Sequence, residues 1–371
     1  MTDKITASII HHFSSIQDPR VNRQKKHQLQ DIFFITLCAV ICGADNWVAI
    51  EEFGEAKEEW FTDLLGLENG IPSHDTFGDV FAVIDTEEFS ECFSKWVADL
   101  ATLTEGEVIA IDGKCLRRSI DKASNKAAIY MVSAWAQQNS LVLGQVKVDE
   151  KSNEITAIPK LLSRLDIAGA VITMDAMGCQ KKIAQLIVEK KADYVLSLKG
   201  NQGNLHDDVR TYFESSLSPE AATVTFDGDH GRIETRSVRV SDEIEWLKEN
   251  HLWSGLKSII AVTAKREIKD KITEETRYFI SSLSAANPKQ LEHAIRAHWA
   301  VENNLHWVLD MAFDEDSNRT RQGYSASNLA VIRHIALNLI KNEKSSKVGV
   351  KTKRLKAGWS DDYLLKIISG I

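Results

Sequence analysis

The strongest constraint on the fold of this chain is a change of periodicity near residue 105. Upstream, apolar residues recur three and four apart over 29–43, 46–66, 75–84 and 86–103, the spacing of amphipathic helices. No strand-like alternation precedes residue 107. Downstream the pattern reads as a strand over 107–112, then strands over 127–136 and 141–148 joined by the turn QQNS. A helix over 154–165, a strand over 170–175, a helix over 179–191, a strand over 193–198 and a helix over 201–216 follow. The expected fold class is therefore α/β: a helical N-terminal domain over 1–104, then a mixed-sheet domain over 105–371.

Finer signals punctuate these elements. Pro19, Gly70 and Pro72 separate the first helices, and Asp75 and Asp85 stand where N-caps belong, the latter with Glu88 three residues on as in a capping box. After residue 216, alternation returns in TVTF, RIETRSVRV, SIIAVTA and TRYFISSL, which predicts a β-rich insertion over about 217–285. Pro288 suits the first turn of a helix running to about Asp310. A further helix is expected over 325–341, and the amphipathic run DDYLLKII lies near the end.

Three acids stand out against this frame. Asp112 closes the run VIAIDGK and Asp175 closes AVITMDAMG, so each is delivered at the end of a buried strand. Glu302 sits in the helical run RAHWAVENNLHW. Two strand-end carboxylates and one from a helix make an all-oxygen pocket suited to Mg²⁺, with Mn²⁺ as a substitute. A pair of such ions about 3.5–4 Å apart performs phosphodiester chemistry, which points to cutting and joining of nucleic acid. Each acid also has a plainer use: Asp112 as a turn residue beside Gly113, Asp175 as a helix cap, Glu302 as a solvent-facing helix carboxylate. Asp310, two turns beyond Glu302, competes for the third position.

Composition narrows the class of protein. With 43% hydrophobic and 26% charged residues, wholesale disorder is excluded. Five scattered cysteines argue against a disulfide framework and for a reducing cytoplasm, and Cys38 and Cys42 are read as core packing. No signal peptide opens the chain. The longest apolar stretch, IFFITLCAVICGA, is interrupted by Thr36 and falls short of the ~20 residues of a membrane span. The net charge of −8 is unevenly spread: residues 29–100 carry −14, whereas 1–28 carry +3 and 341–356 carry +6. Local fields govern attraction to phosphate, so residues 20–28 and a basic tail over about 341–371 are candidate DNA contacts; solvated surface is the plainer alternative for both.

Several further residues could support phosphate binding. Lys114 follows Asp112 by two and shares its side of the strand if the strand continues, though a surface lysine is an equal reading. Lys199 ends the strand YVLSLKGNQGN beside two glycines that allow close approach of a backbone. His230, Arg232 and Arg236 in HGRIETR could grip DNA, or form a hairpin salt-bridged through Glu234. Trp299 and Trp307 are large enough to stack on a base, but core packing is the favoured reading for both.

The order of strands and helices resembles the ribonuclease H-like fold, which places one Asp on its first strand, another after its fourth, and a third acid on a late helix. The chain as a whole resembles the H-repeat-associated insertion-sequence transposases of bacteria, a branch of the DDE transposases. The resemblance rests on LCAVICGADNW, GIPSHDTF, VIAIDGKCLRRS, DEKSNEITAIPKLL, VITMDAMGCQ, LKGNQGNL, HGRIETR and HWAVENNLHWVLDMAFDED, in that order. It implies a helical transposase-associated domain that binds DNA, and a catalytic domain with a β insertion using Asp112, Asp175 and Glu302. It also implies Mg²⁺ as cofactor, terminal inverted repeats and target DNA as partners, and a homodimer on DNA. Transposases with a β insertion often carry Tyr, Arg and Lys around the final Glu. Here those positions hold Ile295, His298 and Leu309. Arg296, His298 and His306 are then the candidates to take over the phosphate contacts. Two other readings stay open: a DNA-binding protein that has lost transposition, and a stand-alone metal-dependent nuclease.

Overall fold

The computed structural model describes residues 9, 11–21, 25–120, 127–149, 152–215, 218–229, 232–268 and 271–369. Nine strands form one sheet in the order β3-β2-β1-β4-β5-β9-β8-β7-β6. They are β1 (Val108–Leu116), β2 (Ile129–Ala136), β3 (Leu141–Lys147), β4 (Val171–Met174), β5 (Asp193–Leu198), β6 (Thr223–Asp229), β7 (Arg232–Ser241), β8 (Ser258–Ile268) and β9 (Lys271–Ser281). β1, β2 and β3 pair antiparallel, whereas β4 and β5 run parallel to β1. The arrangement 3-2-1-4-5 is the ribonuclease H-like sheet. The insertion is not a separate β layer. β9 pairs antiparallel with β5 from Val195↔Ser281 to Leu198↔Tyr278, so the backbone groups β5 would leave bare at an edge are satisfied by the insertion.

The helices differ from the periodicity in instructive ways. The stretch 46–66 breaks at Lys57 into Trp47–Ala56 and Glu58–Leu65. Helix His74–Val83 is capped by Ser73, whose hydroxyl accepts the Thr76 N–H, so Asp75 lies inside the first turn rather than at the cap. Asp85 does cap Thr86–Leu100, accepting from the N–H groups of Glu87 and Glu88. Glu88 accepts instead from the Gln17 N–H at 3.3 Å, which leaves the box half closed. The segment over 201–216 starts its α-helix only at Asn204, because Gly203 takes φ 50° after a short 3₁₀ turn.

The helix Ser325–Asn342 organises the interior. It is buried along its length from Ser325 to Ile340, and the helices Leu29–Ile41, His74–Val83 and Thr86–Leu100 pack around it. Asn338 donates to the Val142 carbonyl and accepts the Val142 N–H, each at 2.9 Å, fastening this helix to β3. Asn328 donates to the carbonyls of Phe81 and Ile84. One apolar cluster thus runs from Phe34, Phe81, Phe93 and Trp96 into Trp135 of β2 and Leu337. Cys38 is fully buried in it, as its apolar surroundings require.

The basic stretch near the end divides: Lys344, Lys347, Lys351 and Lys356 are exposed, whereas Lys341, Lys353 and Arg354 are built into the body. Helix Val350–Trp359 buries Lys353 and Arg354. Arg354 donates to the Val40 carbonyl and pairs with Asp45 at 2.7 Å, and Lys353 reaches Glu343. Lys341 lies over the Trp135 ring. These three are neither solvated surface nor open to phosphate. No helix among the described residues is long and apolar enough to cross a membrane.

Candidate active site

The site begins at a fork in the sheet. β4 pairs with β1 from Val108↔Val171 to Ile111↔Met174 and then stops. The next residues on the two strands are Asp112 and Asp175, which therefore stand side by side where the parallel pairing ends. β1 itself runs on to Leu116, held by β2 alone, so Asp112 lies within the strand rather than at its end. Asp175 turns the chain: its Oδ1 accepts the N–H groups of Met177 at 2.9 Å and Gly178 at 3.3 Å.

The third acid arrives on the helix Pro288–Val301, which packs across β1 and β4. Asn287 caps it, accepting the Gln290 N–H, and Pro288 occupies the first turn. At Glu302 the helix widens into a π turn, Glu302–His306, before resuming as Trp307–Phe313. Such turns cluster at functional sites because the wider ring re-aims the side chains it carries. His306 Nδ1 lies 3.3 Å from Glu302 Oε2 and 3.6 Å from Asp112 Oδ2. One ligand atom from each of Asp112, Glu302 and His306 falls within 4.8 Å of the others. Asp175 is outside that tight set but lines the same groove of about 420 Å³ as Asp112 and Glu302.

Electrostatics single out Asp112. Burial pushes its carboxyl up to about 7, opposed by the Gly113 N–H and reinforced by the negative charges of Asp175, Glu154 and Glu302. Burial, and then Asp175, also push Glu154 up. Sequence reading passed over this fourth carboxylate. It opens helix Glu154–Arg164 one residue after the cap Asn153 and lies over Gly113, where a Cβ would collide with it. The legible signal was the glycine directly after Asp112, whose missing side chain makes room for the Glu154 carboxylate.

The proposed phosphate contacts fall into different places. Lys199 is exposed in the groove beside the acids. Lys114 is instead drawn inward, its ammonium bonded to Asp310 and, at 2.8 Å, to the buried Glu315. That pairing also commits Asp310 away from the carboxylate group. His298 lines the groove, but its Nδ1 is 3.2 Å from the Thr173 hydroxyl and burial lowers it to about 4, so it is a neutral ring there. His306 is buried against the acids rather than presented to a phosphate, and burial and then Lys114 lower its pKa.

Arg236 and Arg296 both reach Asp227, at 3.3 Å each, and line an adjoining cavity of about 330 Å³ with Arg266, Arg277 and Trp299. Arg236 also pairs with Glu234, as the hairpin reading anticipated. Arg232 is the first residue of β7, and His230 lies outside the described residues. The core reading of the two tryptophans fails. Trp299 is 52% exposed and Trp307 58% exposed, and the Arg277 guanidinium lies 4.4 Å over the Trp299 ring.

Comparison with known proteins decides the family. Residues 103–339 match the transposase DDE domain, and residues 10–97 match the DDE_Tnp_1-associated domain. The chain belongs to the DDE transposases. It is 44% identical over 369 residues to the "Putative transposase YncI" of Escherichia coli O157:H7, covering 98% of this chain and 94% of that protein. It is 42% identical over 370 residues to the "H repeat-associated putative transposase YhhI" of Escherichia coli strain K12, covering 98% of each. In this DDE transposase the N-terminal basic residues are partly spent internally: Arg20 and Lys25 both pair with Asp18, while 22–24 lie outside the described residues.

Proposed function

We propose that this DDE transposase cuts DNA at the ends of an insertion sequence and joins the freed 3′-hydroxyl to target DNA, using divalent metal held by Asp112, Asp175 and Glu302. The observation that carries the reading is the meeting of Asp112 and Glu302, 190 positions apart, with Asp175 in the same groove. The donor set fits a hard cation: carboxylate oxygens dominate, and the mutual repulsion that helps push Asp112 up to about 7 is what a bound cation relieves. Mg²⁺ suits the oxygens, and Mn²⁺ accepts the same carboxylate donors. When bound, the metal activates a water or hydroxyl nucleophile and stabilises the leaving oxygen.

The protein's own part is position and charge. Lys199 and Arg277 line the groove and supply cations for the phosphates flanking the scissile bond. Exposed Trp299, stacked under Arg277, offers a flat face to an unpaired base. Terminal inverted repeats are the DNA read, and two copies acting as a homodimer pair the two ends. Incubating the protein with end DNA, plasmid target and Mg²⁺ tests the reading. Joined products from wild type, none from Asp112→Asn or Glu302→Gln, and unimpaired DNA binding by both variants are expected. Nicking without joining by wild type supports a plain nuclease instead.

A further inference from the structure

Behind the carboxylates lies a polar chamber that the proposed reaction leaves unused. The sheet register sets Asp112, Ser133 and Gln145 opposite one another, a polar row crossing β1, β2 and β3. Gln145 is fully buried, His334 is 3% exposed and His306 5% exposed. Among the described residues, both amide atoms of Gln145, Nε2 of His306 and Nδ1 of His334 have no hydrogen-bond partner. Buried polar atoms left this way are rare in folded proteins, and four around one space point to an occupant. All three side chains line a single cavity with Lys114, Ser133 and Glu315, and the space open to a water centre is about 10 Å³.

The lining chooses among occupants. The Lys114 ammonium disfavours a cation and the Glu315 carboxylate disfavours an anion. One water-sized volume with several donors and acceptors is what an internal water needs. The Nδ1 of His306 faces the oxygens of Glu302 and Asp112, so in the neutral ring it is the nitrogen placed to donate. If that nitrogen donates, Nε2 carries a bare lone pair pointing into the chamber and calls for an O–H donor.

We infer that the chamber binds one water molecule, and that Gln145 and His334 are positioning residues that hold His306 through it, so that Nδ1–H is presented to Asp112 and Glu302. This rests on the transposase reading for its consequence in catalysis, but the water and the tautomer stand apart from it. His306 then orients the Glu302 and Asp112 carboxylates from behind. Neither Gln145 nor His334 touches substrate.

The structural and spectroscopic tests use full-length protein without DNA. A crystal structure showing ordered solvent should place one water within hydrogen-bond reach of His306 Nε2 and Gln145. Nitrogen-15 spectra of histidine-labelled protein should show His306 as the Nδ1–H form in wild type and shifted toward Nε2–H in Gln145→Met, which keeps side-chain volume and removes the amide. In end cleavage, kcat of Gln145→Met should fall roughly tenfold or more with KM unchanged, the usual scale for supporting residues. Should that variant melt early, His334→Phe probes the chamber from the helix side. A dry chamber, or an unchanged tautomer even with reduced kcat, overturns the inference. A wild type that cleaves no DNA overturns the proposed function alone, since the water and tautomer are read without it.

Discussion

Asp112 is held in a condition that costs the fold stability. Its pKa rises from the ordinary 3.8 to about 7, chiefly through burial. A carboxyl raised by folding keeps its full contribution below about pH 4 and loses it as pH climbs through 7, because the unfolded chain ionises more easily. Metal-free Asp112→Asn should therefore match wild type near pH 3 and exceed it by roughly 1–2 kcal/mol near pH 8, after discounting the full shift for partial solvent exposure. Urea unfolding at the two pH values, with chelator, reads this directly. Equal stabilities at pH 8 would show that the carboxylates do not strain one another. At this scale the sequence disclosed identity but not environment. The strands that lead to Asp112 and Asp175 and the helix that leads to Glu302 were visible from the runs around them. Lys114 was not, because its partners Asp310 and Glu315 lie about two hundred positions away and no local pattern records them.

Among the elements, the π turn matters most. A continuous helix over 288–310 is what the apolar spacing predicts, and the structure interrupts it at Glu302–His306. The extra residue in that turn brings His306 beneath Glu302 and over Asp112. Nothing in the side-chain periodicity signals an i→i+5 ring, since apolar residues on both sides remain at helical spacing. Deleting the exposed Asn303 should restore a regular helix and rotate Glu302 by about 100° relative to His306. Circular dichroism should show helix content retained, while metal-dependent cleavage is lost. Cleavage surviving the deletion would mean that the turn does not set the geometry. The strands fared better: β2, β3 and β5 lie close to their expected positions, since β-branched runs between turn residues carry their own signal. The joining of the insertion to β5 was hidden, because pairing is a property of two distant segments.

At the scale of the molecule, the helical N-terminal segment shares its core with the rest. Leu29–Ile41 and Thr86–Leu100 bury their apolar faces against Ser325–Asn342, and ion pairs of Lys57 with Asp361 and Arg354 with Asp45 tie the beginning to the end. The periodicity change at residue 105 marks a change of secondary structure, and the packing does not repeat that boundary. Residues 1–104 produced alone should give a poorly structured chain with no cooperative melt, and residues 105–371 should expose the surface of helix Ser325–Asn342 and aggregate. Mixing the two during refolding should recover native-like helix content. A sharp, independent melt of either piece would contradict a common core.

The most direct measurement is calorimetric titration of Mn²⁺ into wild type, Asp112→Asn and Glu302→Gln, each bound to end DNA. Convergence of these carboxylates on one cation site predicts clear binding by wild type and loss of binding in both variants. Undiminished binding in either variant would contradict it, whatever the DNA products show.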